Sequence, residues 1–128
     1  EIQCAAQNAV SLHTSDTADM ARLLKSTMRL RPDRIIVGEV RDGAALTLLK
    51  AWNTGHPGGL LTLHANSAAD ALGRLEDLCL EAGGGDPSRL IAQGAGLIVF
   101  IEREREGRRI SQILTPHPSQ PMSKGDLT

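Results

Sequence analysis

The fold is decided by one stretch of sequence, L-R-P-D-R-I-I-V-G-E-V-R-D, which occupies residues 30–42. Its central run, residues 35–37, is short, apolar and β-branched, which indicates a strand buried inside a sheet. Residues 60–63, Leu-Leu-Thr-Leu, form a second apolar run after an intervening helical pattern. Strands that alternate with helices in this way predict an α/β fold with a mostly parallel sheet.

The remaining elements follow from periodicity and from helix start and stop signals. Four helical segments are predicted, each with a cap residue. Residues 18–30 follow Asp16 or Thr17, and residues from about 43 to 53 follow Asp42. Residues 68–82 follow Ser67, and a short helix that begins at Pro87 follows Asp86. Two further strands are predicted at residues 97–101 and 108–114, joined by a turn at Glu106-Gly107. Residues 1–115 therefore form one domain, and residues 116–128, rich in Pro, Ser and Gly, are expected to be a disordered tail.

The composition excludes several classes of protein. The chain has 128 residues, with 14 basic and 15 acidic side chains, so it has no general basic field for nucleic acid. One Trp, one Phe and no Tyr leave little for a base-stacking surface. The two cysteines are far apart, which indicates neither a disulfide scaffold nor a zinc site, and a reducing cytoplasm is the default. No stretch approaches the roughly 18 apolar residues of a membrane span.

Two polar residues follow two of the predicted strands directly. Glu39 comes after the strand at residues 35–37, and His64 comes after the strand at residues 60–63. Ligands of parallel α/β sheets bind at the carboxyl ends of strands, where a carboxylate can hold the water shell of Mg²⁺ or orient a water, and an imidazole can contact a phosphate. The alternative is that both side chains are simply solvated and that Arg41 and Asp42 form a charge pair at a helix cap.

Two strings favour the first alternative. The stretch at residues 30–42 resembles the Walker B region of type II and type IV secretion ATPases, and G-H-P-G-G-L-L-T-L-H-A-N-S-A, residues 55–68, resembles their histidine box. The two strings stand in the family's order and spacing, and the similarity extends from Glu1 to about Ile113. Glu1-Ile2-Gln3-Cys4 is most similar to the conjugal-transfer (TrbB-like) branch.

The resemblance implies the carboxy-terminal portion of a RecA-like P-loop NTPase core that hydrolyses ATP with Mg²⁺. In this family Glu39 matches the Walker B glutamate beside Mg²⁺ and the attacking water, and His64 matches the histidine that faces the γ-phosphate. Glu1 matches the last glutamate of the aspartate box, so we expect the chain to be truncated there. His56 matches the first histidine of the histidine box, where a structural role and nucleotide contact are equally implied.

The resemblance also implies a setting for the whole protein. It implies a homo-hexamer that is cytoplasmic, lies peripherally at the inner membrane and works with other proteins of the secretion machinery. Arg29, Arg31 and Arg41 occupy basic positions flanking Walker B, where they would serve the phosphates, the ring interface or only solvated salt bridges. No direct binding of nucleic acid is evident.

The departure from the family is that the Walker A loop, G-x-x-x-x-G-K-[ST], occurs nowhere in these residues. Its amides and lysine cradle the phosphates, so tight ATP binding by residues 1–128 alone is not expected. Three hypotheses remain: part of an ATPase for export, a non-enzymatic module that docks into a ring, and a RecA-like nucleic-acid motor of another family. Balanced charge and few aromatics disfavour the third.

The missing loop also has a consequence for the sheet. In RecA-like ATPases the strand that leads into Walker A lies between the strand of the histidine box and the last parallel strand, here residues 60–63 and 97–101. We therefore expect a split between these two strands or a rearranged pairing. Strand edges that lack a partner recruit other chains, so the chain is expected to be marginally stable and to self-associate.

Overall fold

The computed structural model describes residue 2 and residues 4–116. In chain order, its elements are α1 (Met20–Arg29), β1 (Ile36–Val37), α2 (Ala44–Asn53), β2 (Leu60–Leu61), α3 (Ala68–Glu81), α4 (Ser88–Gly94), β3 (Ile98–Glu104) and β4 (Gly107–Leu114). Each predicted helix and strand is present with a shift of its bounds. The tail predicted at residues 116–128 lies, apart from its first residue, outside the described residues, as does Glu1.

The strands β1 and β2 form a parallel pair, as predicted. Ile36 lies opposite Leu60, and Val37 lies opposite Leu61. Ile35 and Val37 are buried, whereas Ile36 and Leu60 are 41% and 60% exposed. One face of the pair therefore packs on the core, and the other is open to solvent. The apolar run of β1 indicated burial on both faces, and this prediction is wrong.

The core lies between this sheet and the helices. Leu48 and Leu49 of α2 have no exposed surface, and α2 packs against α1, α3 and α4. The other helices each turn apolar side chains toward this core, as expected for amphipathic helices. Their buried side chains include Leu24, Leu75, Leu78, Cys79 and Ile91.

The helix caps differ in part from the predicted ones. Asp19 caps α1, because its Oδ1 accepts a hydrogen bond from the Arg22 amide at 2.8 Å. The prediction of Asp16 or Thr17 as the cap is therefore wrong: the helix begins later than its apolar pattern indicated. Ser67 caps α3 as predicted, with Oγ 3.0 Å from the Asp70 amide nitrogen.

The strands β3 and β4 form an antiparallel hairpin with two unlike faces. Phe100 and Gln112 are partners across the hairpin, and Gln112 Oε1 accepts a hydrogen bond from the Ala68 amide at 2.9 Å, so this face meets the first turn of α3. A register irregularity after Phe100 pairs Ile101 with Ile110 instead of with Ser111. The opposite face therefore carries four exposed β-branched side chains: Val99, Ile101, Ile110 and Ile113.

The two strand pairs do not form one continuous sheet. The described residues contain two sheets of two strands each, β1–β2 and β3–β4, with no ladder between β2 and β3. The expectation of a single, mostly parallel sheet is met only by the first pair. The expected split between the second and third strands is thus observed in the described residues.

Because this face of the hairpin is exposed, we expect the chain to associate with itself. Contiguous apolar surface and free strand edges favour contact between chains. Light scattering is expected to show a mass above that of the monomer. The double variant Ile101→Lys/Ile113→Lys is expected to have a lower mass. Its midpoint of urea unfolding is expected to stay unchanged, because both side chains are exposed. A monodisperse wild-type monomer would contradict this prediction.

Candidate active site

The candidate site lies where β1 and β2 end. Beyond the two strands the backbones stay paired, because the Val40 amide donates to the Thr62 carbonyl oxygen at 3.0 Å. The Thr62 hydroxyl also donates to the carbonyl oxygen of Gly38. These bonds fix the two segments that carry Glu39 and His64 side by side at one edge of the sheet.

Glu39 is held between two basic side chains. Its Oε1 lies 3.0 Å from His64 Nε2, and its Oε2 lies 2.5 Å from Arg41 Nη2. The two candidates that the sequence placed on separate strands are thus in contact. The charge pair expected between Arg41 and Asp42 is not formed: Arg41 turns back to Glu39, and Asp42 Oδ1 accepts from the Ala44 amide at 2.9 Å, at the start of α2.

The electrostatics keep Glu39 ionised. The hydrogen bond from Arg41 is the main cause that lowers the pKa of Glu39, and the charges of Arg41 and His64 add to it, while desolvation acts in the opposite direction. The pKa of Arg41 is raised by the same contact. The group at this edge of the sheet is therefore a carboxylate that accepts hydrogen bonds or binds cations, and not an acid that donates a proton.

One oxygen of Glu39 is poorly satisfied. The side chain keeps 25% of its surface exposed, but Oε1 itself is buried and has no hydrogen-bond partner among the described residues. The 3.0 Å separation from His64 Nε2 is within ion-pair distance without forming a hydrogen bond. The His64 imidazole is 92% exposed and open to solvent. The arrangement leaves the His64 imidazole open to a ligand and one carboxylate oxygen of Glu39 unpartnered but covered.

The remaining candidates lie at the other end of the strand pair. His56 Nδ1 lies 2.7 Å from the Pro32 carbonyl oxygen, before β1 begins. Arg29 ends α1, and Arg31 follows it with a left-handed φ of 50°. The structure thus groups Glu39, Arg41 and His64, and Glu1 lies outside the described residues. Three other candidates are not brought to the group: Arg29, Arg31 and His56.

Sequence reasoning missed several residues that shape the histidine box. Arg34 Nη1 donates to the Gly58 carbonyl oxygen at 3.0 Å, and Trp52 Nε1 donates to the Ile35 carbonyl oxygen at 3.4 Å. A Cβ at Gly59 would collide with the Trp52 indole and with the same Ile35 oxygen. The glycine pair before β2 could have indicated this close packing from the sequence, because a glycine within a strand pattern marks close approach of another backbone.

Comparison with known proteins establishes the family. A family described as "Type II/IV secretion system protein" matches residues 1–104. The chain therefore belongs to this family, as its Walker B-like and histidine box-like strings indicated. The helices of the structure are too short and too polar to span a membrane, as far as the described residues extend.

Individual relatives are named for conjugal transfer and type IV secretion. The chain is 69% identical over 114 residues to the conjugal transfer protein TrbB of Rhizobium radiobacter, which covers 89% of this chain and 35% of that protein. It is 46% identical over 97 residues to the type IV secretion system protein VirB11 of Bartonella quintana, with 71% of this chain and 27% of that protein covered. The chain thus spans about a third of the length of the relatives it matches.

A solved structure supports the fold class. The VirB11 ATPase from the type IV secretion system of Brucella suis, crystallised with sulphate, superposes with a TM-score of 0.68 at 27% identity, covering 74% of this chain and 31% of that one. The predicted RecA-like fold is therefore confirmed.

The close packing at Gly59 gives a testable pair of substitutions. Gly59→Ala is expected to lower the free energy of unfolding by roughly 1–3 kcal/mol, because the added methyl overpacks against Trp52. Gly73→Ala is the matched control, since it lies within α3 with open space around it, and it is expected to raise stability by about 0.5–1 kcal/mol. Urea unfolding measures both. Equal effects of the two substitutions would contradict the packing at Gly59.

Proposed function

We propose that this chain is part of an ATPase that powers conjugative DNA transfer through a type IV secretion system. The observation that carries the proposal is the contact between Glu39 and His64, 3.0 Å apart at the carboxyl ends of two parallel strands. Ligands bind at this edge in parallel α/β sheets. The names of the relatives support the conjugative role.

The residues at this edge fit ATP and Mg²⁺ in part. Oε1 of Glu39 is covered in this structure and has no hydrogen-bond partner, and a carboxylate oxygen of this kind is what Mg²⁺ or its water shell takes. The described residues contain no group of three or more His, Cys, Asp or Glu side chains that would cage a metal by itself. Mg²⁺ usually needs only one or two carboxylates besides its waters and the phosphates of the nucleotide.

Each side chain of the group has a proposed part in hydrolysis. Glu39, kept ionised by Arg41, orients a water molecule for attack and accepts its proton or passes it on. His64, exposed beside it, donates a hydrogen bond to a phosphate oxygen. Arg41 reaches Glu39 in this structure, so its first part is to orient the carboxylate; a contact with phosphate requires that it leave Glu39. Mg²⁺, when bound, neutralises phosphate charge.

The assembly of the whole protein is proposed on the strength of its relatives. The TrbB and VirB11 relatives are named for conjugal transfer and type IV secretion, which supports work alongside other secretion proteins. The homo-hexamer and its place in the cytoplasm, peripherally at the inner membrane, are proposed from the family resemblance of the sequence. Glu1, as the aspartate-box glutamate, and Arg29 and Arg31, as residues for the phosphates or the ring interface, also stay proposals. The charge of the chain is balanced, so it gives no support for direct contact with nucleic acid.

A second candidate is a non-enzymatic module that keeps the fold and docks into a ring. The observation in its favour is the exposed apolar face of the hairpin, which contact with another chain would cover. Under either candidate these residues alone are not expected to bind ATP tightly, since the amides and lysine that cradle phosphates are not among them. The two candidates differ in whether the complete protein hydrolyses ATP.

Substitution of Glu39 in the complete ATPase tests the proposal. Glu39→Gln keeps the shape but removes the charge and basicity, so ATP turnover is expected to fall by ~10²–10⁴ while nucleotide affinity is largely retained. His64→Ala is expected to slow turnover without lowering the melting temperature, because its side chain is exposed. Glu106→Gln, in the turn of the hairpin, is the matched control. Normal turnover by the Glu39 variant would mean that Glu39 is not catalytic, whereas no turnover by the unmodified complete protein would favour the non-enzymatic module.

A further inference from the structure

We infer that His56 and Arg34 are positioning residues that hold β1 and β2 in register and thereby keep Glu39 against His64. The importance of that contact for hydrolysis rests on the proposed function, but the register itself does not. Both residues act from the amino ends of the two strands, on the side away from the carboxylate.

The two side chains make reciprocal ties between the segments that lead into the strands. His56, which precedes β2, contacts the Pro32 carbonyl oxygen at 2.7 Å, before β1. Arg34, which precedes β1, donates to the Gly58 carbonyl oxygen at 3.0 Å, before β2. Each bond joins residues 24 positions apart in the chain. Each of the two segments thus contributes one side chain that binds the backbone of the other segment.

These ties matter because the ladder between the strands is short. The assigned pairing has two residue pairs, and the bond that opens it, from the Leu60 amide to the Ile35 carbonyl oxygen, is long at 3.3 Å. The Val40–Thr62 bond continues it at the other end. A slip of one residue would send every side chain of one strand to the opposite face. His64 would then leave the face on which it meets Glu39.

The contact also requires a proton on Nδ1 of His56. A carbonyl oxygen only accepts hydrogen bonds, so Nδ1 of His56 is the donor to Pro32. The half-buried ring is therefore committed to the backbone at the amino end of the strands. Between the two roles that the resemblance left open for His56, this geometry favours the structural one.

Amide hydrogen exchange on the 128-residue chain tests the inference without using hydrolysis. His56→Gln moves the donor away from the Nδ1 position, whereas His56→Asn keeps an amide nitrogen near it. In the Ile101→Lys/Ile113→Lys background, His56→Gln is expected to speed exchange of the Val40 and Leu60 amides by about fivefold, the effect of one lost hydrogen bond. His56→Asn is expected to restore protection, and Arg34→Ala to resemble His56→Gln.

Two controls separate positioning from general destabilisation. The Ala71 amide, bonded to Ser67 at the start of α3, reports on a segment that the ties do not touch, so its exchange is expected to stay unchanged. His13→Gln, at an exposed histidine, is the matched control variant. Wild-type protection of Val40 and Leu60 in the Gln and Ala variants would overturn the inference. So would equal acceleration of Ala71, or a failure of Asn to restore protection.

The outcomes also distinguish this inference from the proposed function. If the exchange results are as expected but Glu39→Gln hydrolyses ATP normally, the register ties stand and the catalytic role of the pair fails. If the exchange results are negative but the Glu39 variant is inactive, the catalytic role stands and the register is held by other contacts.

Discussion

The parallel pairing of β1 with β2 is the interaction on which the rest of the structure depends. It joins two short segments that are more than twenty residues apart, and both candidate catalytic side chains follow it directly. Glu39 and His64 meet only because the two strands run in the same direction and end at the same edge. A parallel pair requires a crossover, and α2 supplies it with a face that is fully buried.

The core and the site are therefore built from the same elements. Leu48 and Leu49 of α2 anchor the crossover, and the chain after His64 leads within three positions to Ser67, the cap of α3. The amide of Ala68 is bonded in turn to Gln112 on the hairpin. The segment that carries His64 is thus fixed at one end by the ladder and at the other by a capped helix, which leaves the imidazole exposed but its backbone held.

Much of this arrangement could be predicted from sequence, because strand and helix patterns are local. The apolar runs, the cap at Ser67 and the placement of Glu39 and His64 at strand ends follow from such patterns. The partner of Arg41 and the ties made by Arg34 and His56 could not be predicted in the same way, since they depend on which distant carbonyl or carboxylate comes within reach. The exposure of Ile36 also escaped prediction, because an apolar run does not show which of its faces is covered.

The register of the strand pair is most directly tested by nuclear Overhauser contacts between β1 and β2 in the Ile101→Lys/Ile113→Lys variant. The structure predicts contacts that place Ile36 opposite Leu60 and the Val40 amide against Thr62. It also predicts contacts between the side chains of Glu39 and His64. A set of contacts shifted by one residue, with Ile36 opposite Leu61, would contradict this register, because His64 would then lie on the face away from Glu39.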